Sequence, residues 1–167
     1  LESVKTDIFK DQVFVYTPKG EVKELPNGAT PIDFAYRIHT DLGHRSIGAK
    51  VNGKLVSLDY QLKIGDTVEI MTTKLARGPS LDWLNPNLGY VRTANALEKI
   101  RQWFRRQGRG VNIHRGREIL HKELRRHNMT MDDTEVAKLL KFDSTDELLA
   151  NLGNGGTNIS QVTTKIS

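Results

Sequence analysis

The stretch from Thr30 to Gly43, TPIDFAYRIHTDLG, limits the fold more than any other because it carries its own start and stop signals. Thr30 suits the N-cap of a helix, and Pro31 fits the first helical position, where a missing N–H costs nothing. Asp33 places negative charge in the first turn, where the helix dipole favours it. Gly43 can take the left-handed conformation that closes a helix, which predicts one helix from Pro31 to about Leu42. Ala35, Ile38 and Leu42 fall on one stripe with Phe34 beside it, so that side is expected inside. Arg37, Thr40 and Asp41 point elsewhere, and His39 lies at the border.

Short strands surround this helix. Gln12–Thr17 alternates Val13 and Val15 with Phe14 and Tyr16, and after the turn at Pro18-Lys19-Gly20 the segment Glu21–Leu25 alternates again. Ile47, Ala49 and Val51 lead to Asn52-Gly53, a strong hairpin signal, and Lys54–Leu58 returns. Gly65-Asp66 then turns the chain into Thr67–Met71, where Val68 and Ile70 share a face. The order β-β-α-β-β-β is met most simply by an α+β fold of the β-grasp, ubiquitin-like kind, a mixed sheet over one helix.

Past residue 73 the pattern changes. Residues 1–11 read as a lead-in, 12–73 as the β-grasp domain and 74–92 as a linker with turns at Gly78-Pro79 and Asn85-Pro86. Ser80 suits the cap of a turn carrying Trp83 and Leu84. Residues 93–167 read as a small all-α domain. Its first helix uses Leu97, Ile100 and Phe104 and stops at Gly108. A second, capped by Asn112, buries Ile113, Leu120 and Leu124, and a third runs around Thr134–Lys141. Ser144 and Glu147 form a capping box for a fourth, ending at Gly153, and Ile159, Val162 and Ile166 suggest a last, truncated helix.

Composition sets the boundaries of function. The chain has no cysteine, which excludes disulfides and thiolate zinc sites and fits a reducing, cytoplasmic setting. No apolar run approaches a membrane span, and Leu1 at the first position points to a piece of a longer protein. The net charge of +5 is segregated: residues 92–127 carry +8, and residues 128–167 carry −3. No phosphate-binding loop, dinucleotide fingerprint or His-Glu-x-x-His motif is present, so no catalytic centre, metal or cofactor is expected. His114, His121 and His127 read as solvated histidines on a basic face.

The basic stretch comprises Arg92, Lys99, Arg101, Arg105, Arg106, Arg109, Arg115, Arg117, Lys122, Arg125 and Arg126. It has few acidic neighbours, and much of its charge is arginine, whose planar fork suits phosphate. That points to a nucleic-acid backbone. His39 and His44 flank the end of the central helix, with Arg37, Arg45 and Lys50 near in sequence.

Residues 13–20 (VFVYTPKG), 25–39 (LPNGATPIDFAYRIH), 48–53 (GAKVNG) and 65–70 (GDTVEI) closely resemble a TGS domain, and specifically that of the long RelA/SpoT stringent-response enzymes. Residues 82–86 (DWLNP) and 99–105 (KIRQWFR) resemble the start of the helical domain that follows it. The resemblance implies a parent that makes, and often hydrolyses, (p)ppGpp in catalytic domains N-terminal to this region, leaving this region non-catalytic. It implies a regulatory piece that reads the 3′ CCA end of uncharged tRNA on the ribosome. His39 maps onto the motif histidine that contacts the terminal adenosine, supported by Arg37, Thr40, His44, Arg45 and Lys50, while the basic helices hold tRNA or rRNA. The alternative is a protein-interaction module that binds acyl carrier protein or docks on the catalytic domains of its own chain.

Overall fold

The structure is a computed structural model that describes residues 11–74 and 78–166. The expected lead-in therefore lies, apart from Asp11, outside the described residues. The chain divides into two compact units, residues 1–100 and 101–167.

The first unit contains β1 (Gln12–Tyr16), β2 (Val22–Pro26), α1 (Pro31–Ile38), α2 (Thr40–Arg45), β3 (Ser46–Val51), β4 (Lys54–Val56) and β5 (Val68–Thr72). β1 and β2 form an antiparallel ladder, and β4-β3-β5 form a second one. A parallel bridge between Tyr16 and Thr67 joins them. It is reinforced where Gly65 N–H donates to the Phe14 carbonyl and Tyr16 N–H to the Asp66 carbonyl, both at 2.8 Å. The mixed β-grasp arrangement is thus held across β1 and the entry to β5. Val13, Val15, Leu25, Ala29, Phe34, Val51, Leu62 and Val68 form one core, in which Phe34 brings the helix onto the sheet. The hairpin at Asn52-Gly53 has positive φ at both central residues, 54° and 81°, as a two-residue turn of the right twist requires.

Local expectations fail at two places here. The single helix predicted up to Leu42 is two, because His39 is extended (φ −163°, ψ 141°) and its ring Nδ1 accepts from Asp41 N–H at 3.1 Å. The imidazole therefore starts α2. Gly43 does not end a helix but sits inside α2, against the Tyr36 ring; a Cβ at Gly43 would fall within that ring. Ile38, next to the break, is 38% exposed instead of inside. The second departure is on β3, whose register shifts between Ser46 and Gly48. Ser46 is buried, Ile47 is turned out, and alternation resumes at Ala49 and Val51.

A short 3-10 turn spans Leu81–Leu84, with Ser80 Oγ accepting from Asp82 N–H at 3.2 Å and Trp83 buried. The chain then returns to the start of α1. Thr30 Oγ1 donates to the Tyr90 carbonyl, and the buried Asp33 carboxylate accepts from Arg92 and Thr93. Helix α3 (Ala94–Arg106) follows and contains the division between the units.

The second unit continues with α4 (Arg109–Arg126), α5 (Asp133–Leu139), α6 (Thr145–Gly153) and α7 (Ile159–Ile166). Leu120, Leu124, Val136, Ala137, Leu148, Leu149, Leu152 and Val162 make its core. Ser144 Oγ accepts from Glu147 N–H at 3.1 Å and starts α6 as expected. Asn112, predicted as the cap of α4, lies inside that helix, which begins after Gly108. Buried at 4% exposure, it donates from Nδ2 to the Phe104 carbonyl at 3.1 Å and braces the turn between α3 and α4.

Candidate functional site

The break between α1 and α2 sets out the residues singled out around His39. The ring is exposed, and the bond from Asp41 N–H to Nδ1 fixes its direction. With Nδ1 accepting, the neutral imidazole carries its proton on Nε2 and offers a donor edge outward. Arg37 is exposed on the last turn of α1, and Thr40 is half-buried at the start of α2.

His44 and Arg45, at the end of α2, come together elsewhere. Both line a cleft of about 310 Å³ with Ser46, Ile47, Leu58, Thr73, Gly78, Pro79, Ser80 and Trp83. Arg45 Nε lies 3.2 Å from Asp41 Oδ2, with both side chains more than half exposed, so this pair contributes little stability. His39 is not among the lining residues. Lys50 belongs to a third place: it is exposed on β3 between the buried Ala49 and Val51, and so projects from the sheet face opposite α1. The structure thus unites His44 with Arg45, and sets His39 and Arg37 on the neighbouring turn.

Ile47 and Trp83, which line this cleft, and Tyr36, which touches its lining residue His44, have no signature in the sequence. Ile47 reads as an inward strand residue and Trp83 as part of a capped turn in the linker, while nothing in the sequence singles out Tyr36. Only the spacing of Tyr36 and His44, eight residues apart across the helix break, bears on their contact at 2.8 Å.

The basic residues divide between the units, Arg92 and Lys99 in the first and the others in the second. Arg101, Arg105, Arg106, Arg109, Arg117, Lys122, Arg125 and Arg126 are exposed. Arg115 is turned inward: Nη1 donates to Asn112 Oδ1 and the Gly153 carbonyl, each at 3.3 Å, and the guanidinium stacks 5.1 Å from the Phe104 ring centre. Arg126 lies 3.6 Å from Glu123.

The two histidines of α4 and His127 at its C-cap each meet one carboxylate: His114 with Glu118 at 3.2 Å, His121 with Asp133 at 2.8 Å and His127 with Glu123 at 2.9 Å. Among the described residues no cluster of three metal-ligating side chains occurs, and no helix is long and apolar enough to cross a membrane.

Comparison with known proteins covers both units. Residues 13–72 match the TGS domain family, and residues 103–167 match the RelA/SpoT AH domain family. The GTP pyrophosphokinase of Escherichia coli strain K12 is 49% identical over 164 residues, 97% of this chain. The proteins of the same name from Haemophilus influenzae and Myxococcus xanthus are 44% and 43% identical, over 97% and 99% of the chain. The chain spans about 22% of the length of each of these relatives.

Proposed function

The chain belongs to the RelA/SpoT family as its TGS and AH portion, and from that premise we propose that it is the regulatory, non-catalytic region of a (p)ppGpp enzyme. In this reading it senses the 3′ CCA end of uncharged tRNA on the ribosome and relays the signal to the catalytic domains of its own parent.

The exposure of His39 carries the reading. Its imidazole is held at Nδ1 by Asp41 and turned outward at a helix break, with the Arg37 cation on the preceding turn. Unpaired RNA ends are recognised by stacking and by hydrogen bonds to base edges and ribose hydroxyls, and an exposed aromatic donor serves both. A terminal ribose packed against it presents a free hydroxyl. An ester there brings bulk and removes a donor, so discrimination comes from steric exclusion together with a lost hydrogen bond. The exposed arginines of α3 and α4 supply sequence-independent attraction to phosphates of tRNA or rRNA.

The test is binding of this chain to one tRNA in its uncharged and 3′-aminoacylated forms, repeated on ribosomes. Uncharged tRNA is expected to bind at least about tenfold more tightly, the worth of roughly one charged or well-placed hydrogen bond. In His39→Glu that preference disappears. Equal binding of both forms, free and on the ribosome, would reject the sensor reading. Saturable binding of acyl carrier protein with no preference between the tRNAs would favour a protein-interaction role instead.

A further inference from the structure

The chain contains three Asn-Gly pairs, at 27–28, 52–53 and 154–155. In such a pair no side chain shields the glycine nitrogen, which can attack the asparagine Cγ. A bond forms between that nitrogen and Cγ, Nδ2 leaves as ammonia with the glycine N–H proton, and a five-membered imide remains. Water then opens the imide to aspartate or isoaspartate. The residues that a tight hairpin demands at its centre are therefore also the ones most open to this change.

The fold ties the three side chains unequally. Asn27 is exposed in a turn closed by Ala29 N–H on the Pro26 carbonyl at 3.1 Å, and its side chain has no partner among the described residues. Asn154 is held at one end, where Oδ1 accepts from Gly156 N–H at 2.8 Å. Asn52, although exposed, is held at both ends. Its Oδ1 accepts from Thr67 N–H at 2.9 Å, and its Nδ2 donates to Asp66 Oδ1 at 3.0 Å. These partners fix the amide's orientation, because an N–H only donates and a carboxylate only accepts. Asp66 is itself 6% exposed and held through Oδ2 by Lys63 N–H at 2.8 Å. Turning Cγ onto the Gly53 nitrogen takes both ends of the amide away from their partners.

We propose that Asn52-Gly53 is a deamidation site that Asp66 and Thr67 keep closed, and that the reaction there loosens the joint between the two strand ladders. Deamidation replaces the Nδ2 donor by an anionic oxygen facing the Asp66 carboxylate, so an attraction at 3.0 Å becomes a repulsion between like charges. The isoaspartate product also adds a backbone carbon to a two-residue turn. Asp66 stands at the joint itself: its carbonyl accepts from Tyr16 N–H at 2.8 Å, beside the bridge between Tyr16 and Thr67. The modification thus acts where β1 meets the entry to β5, and it is independent of the RNA-end reading.

The experiment follows all three sites by peptide mass spectrometry while the whole chain is incubated at mildly alkaline pH, both folded and in urea. In urea the three rates are expected to converge. In the folded chain Asn52 should be the slowest and Asn27 the fastest. Asp66→Asn keeps an oxygen for Lys63 N–H but sets an amide nitrogen against that of Asn52. It should accelerate Asn52 about tenfold, the worth of one hydrogen bond to a charged group, and leave Asn27 and Asn154 unchanged. Asn52→Asp, which carries the aspartate product, should speed amide exchange at Tyr16 and Lys63 while Leu120 in the helical unit stays protected. The proposal falls if folded Asn52 reacts as fast as it does in urea or as fast as Asn27. It falls equally if Asp66→Asn leaves the Asn52 rate unchanged, or if Tyr16 exchanges alike in wild type and Asn52→Asp. Acceleration of all three sites together in Asp66→Asn would signal unfolding of that variant, and the folded and urea rates of the wild type then decide.

Discussion

Asp33 Oδ1 accepts from both the backbone N–H and the hydroxyl of Thr93, at 3.0 Å and 2.9 Å, across sixty residues of sequence. The same carboxylate accepts from Arg92 N–H at 3.0 Å and from Thr30 N–H at 2.9 Å, and Thr30 Oγ1 accepts in return from Asp33 N–H at 3.3 Å. One buried side chain therefore closes the capping box of α1 and anchors the segment that leads into α3. A carboxylate suits this place because every neighbour is a donor, and the N-terminus of α1 adds its own positive end.

Replacing Asp33 by Ala leaves those donors without their acceptor, the buried Thr30 N–H among them. The loss is expected at about 3 kcal/mol or more, since hydrogen bonds to a charged group contribute roughly 1.5–3 kcal/mol and the cap about 1 kcal/mol. Asp33→Asn keeps the acceptor oxygen but sets an amide against donors, and should fall between. Amide exchange by NMR checks this locally: protection at Arg92 and Thr93 should drop in both variants, before that of Val15 and Val68 in the core. Unchanged protection at Thr93 would show that the anchor is redundant.

The ladder around that anchor was legible because its signals are local. Asn52-Gly53 demands its turn whatever surrounds it, and the alternation of Val13 with Val15 reports a buried face directly. What escaped depends on contacts distant in sequence or on unusual caps. Histidine is a rare helix starter, so the break at His39 had no cue, and Gly43 read as a stop although it is a landing place for the Tyr36 ring. Ile47 followed the alternation by eye, yet a bulge turned it outward. Asn112 has the residue type of a cap, but Gly108 already starts the helix. The cleft needs residues 78–83 to fold back beside 44–47, which no periodicity announces.

Alkaline titration should expose Tyr36. Its folded phenol is raised above the ordinary value of 10.0 by burial. The folded state therefore holds a proton that the unfolded state releases above pH 10, and stability is full below that pH and lost as pH rises through the folded value. The contribution is a fall of about 1.4 kcal/mol per pH unit above 10, for this one proton. Tyr36→Phe removes that component while costing about 1 kcal/mol at neutral pH through the lost bond to His44. Urea unfolding of both proteins from pH 7 to 12 gives the difference; parallel curves would contradict the burial.

In the helical unit, α4 and α6 approach closely enough that only glycine fits at two facing positions. A Cβ on Gly116 would overlap the Leu149 carbonyl, and one on Gly153 the Asn112 carbonyl. Both clashes are with backbone, so no side-chain rotation relieves them. Gly116→Ala is expected to destabilise the unit by about 3 kcal/mol, at the upper end of overpacking costs, despite the better helix propensity of alanine. Thermal unfolding followed by helical circular dichroism should show the drop, and Gly110→Ala, with open space around it, should show a gain instead.

Arg115 and Arg125 lie on the same helix and carry the same charge, yet they should fail in opposite ways. Arg115 is committed to the Gly153 carbonyl, Asn112 and the Phe104 ring, whereas Arg125 is exposed. If the exposed arginines meet RNA phosphates, each neutralised phosphate releases condensed counterions, and the log–log dependence of affinity on salt steepens by roughly 0.7–0.9. Arg125→Gln or Lys122→Gln should flatten that slope by about this amount and leave the melting temperature within error. Arg115→Ala should do the reverse, lowering the melting temperature through lost packing and two unpaired acceptors while leaving the slope of the folded protein unchanged. Filter binding to tRNA across a salt series, read beside thermal melts, separates the two. A flattened slope in Arg115→Ala with no loss of stability would mean that its guanidinium leaves Phe104 to meet the nucleic acid.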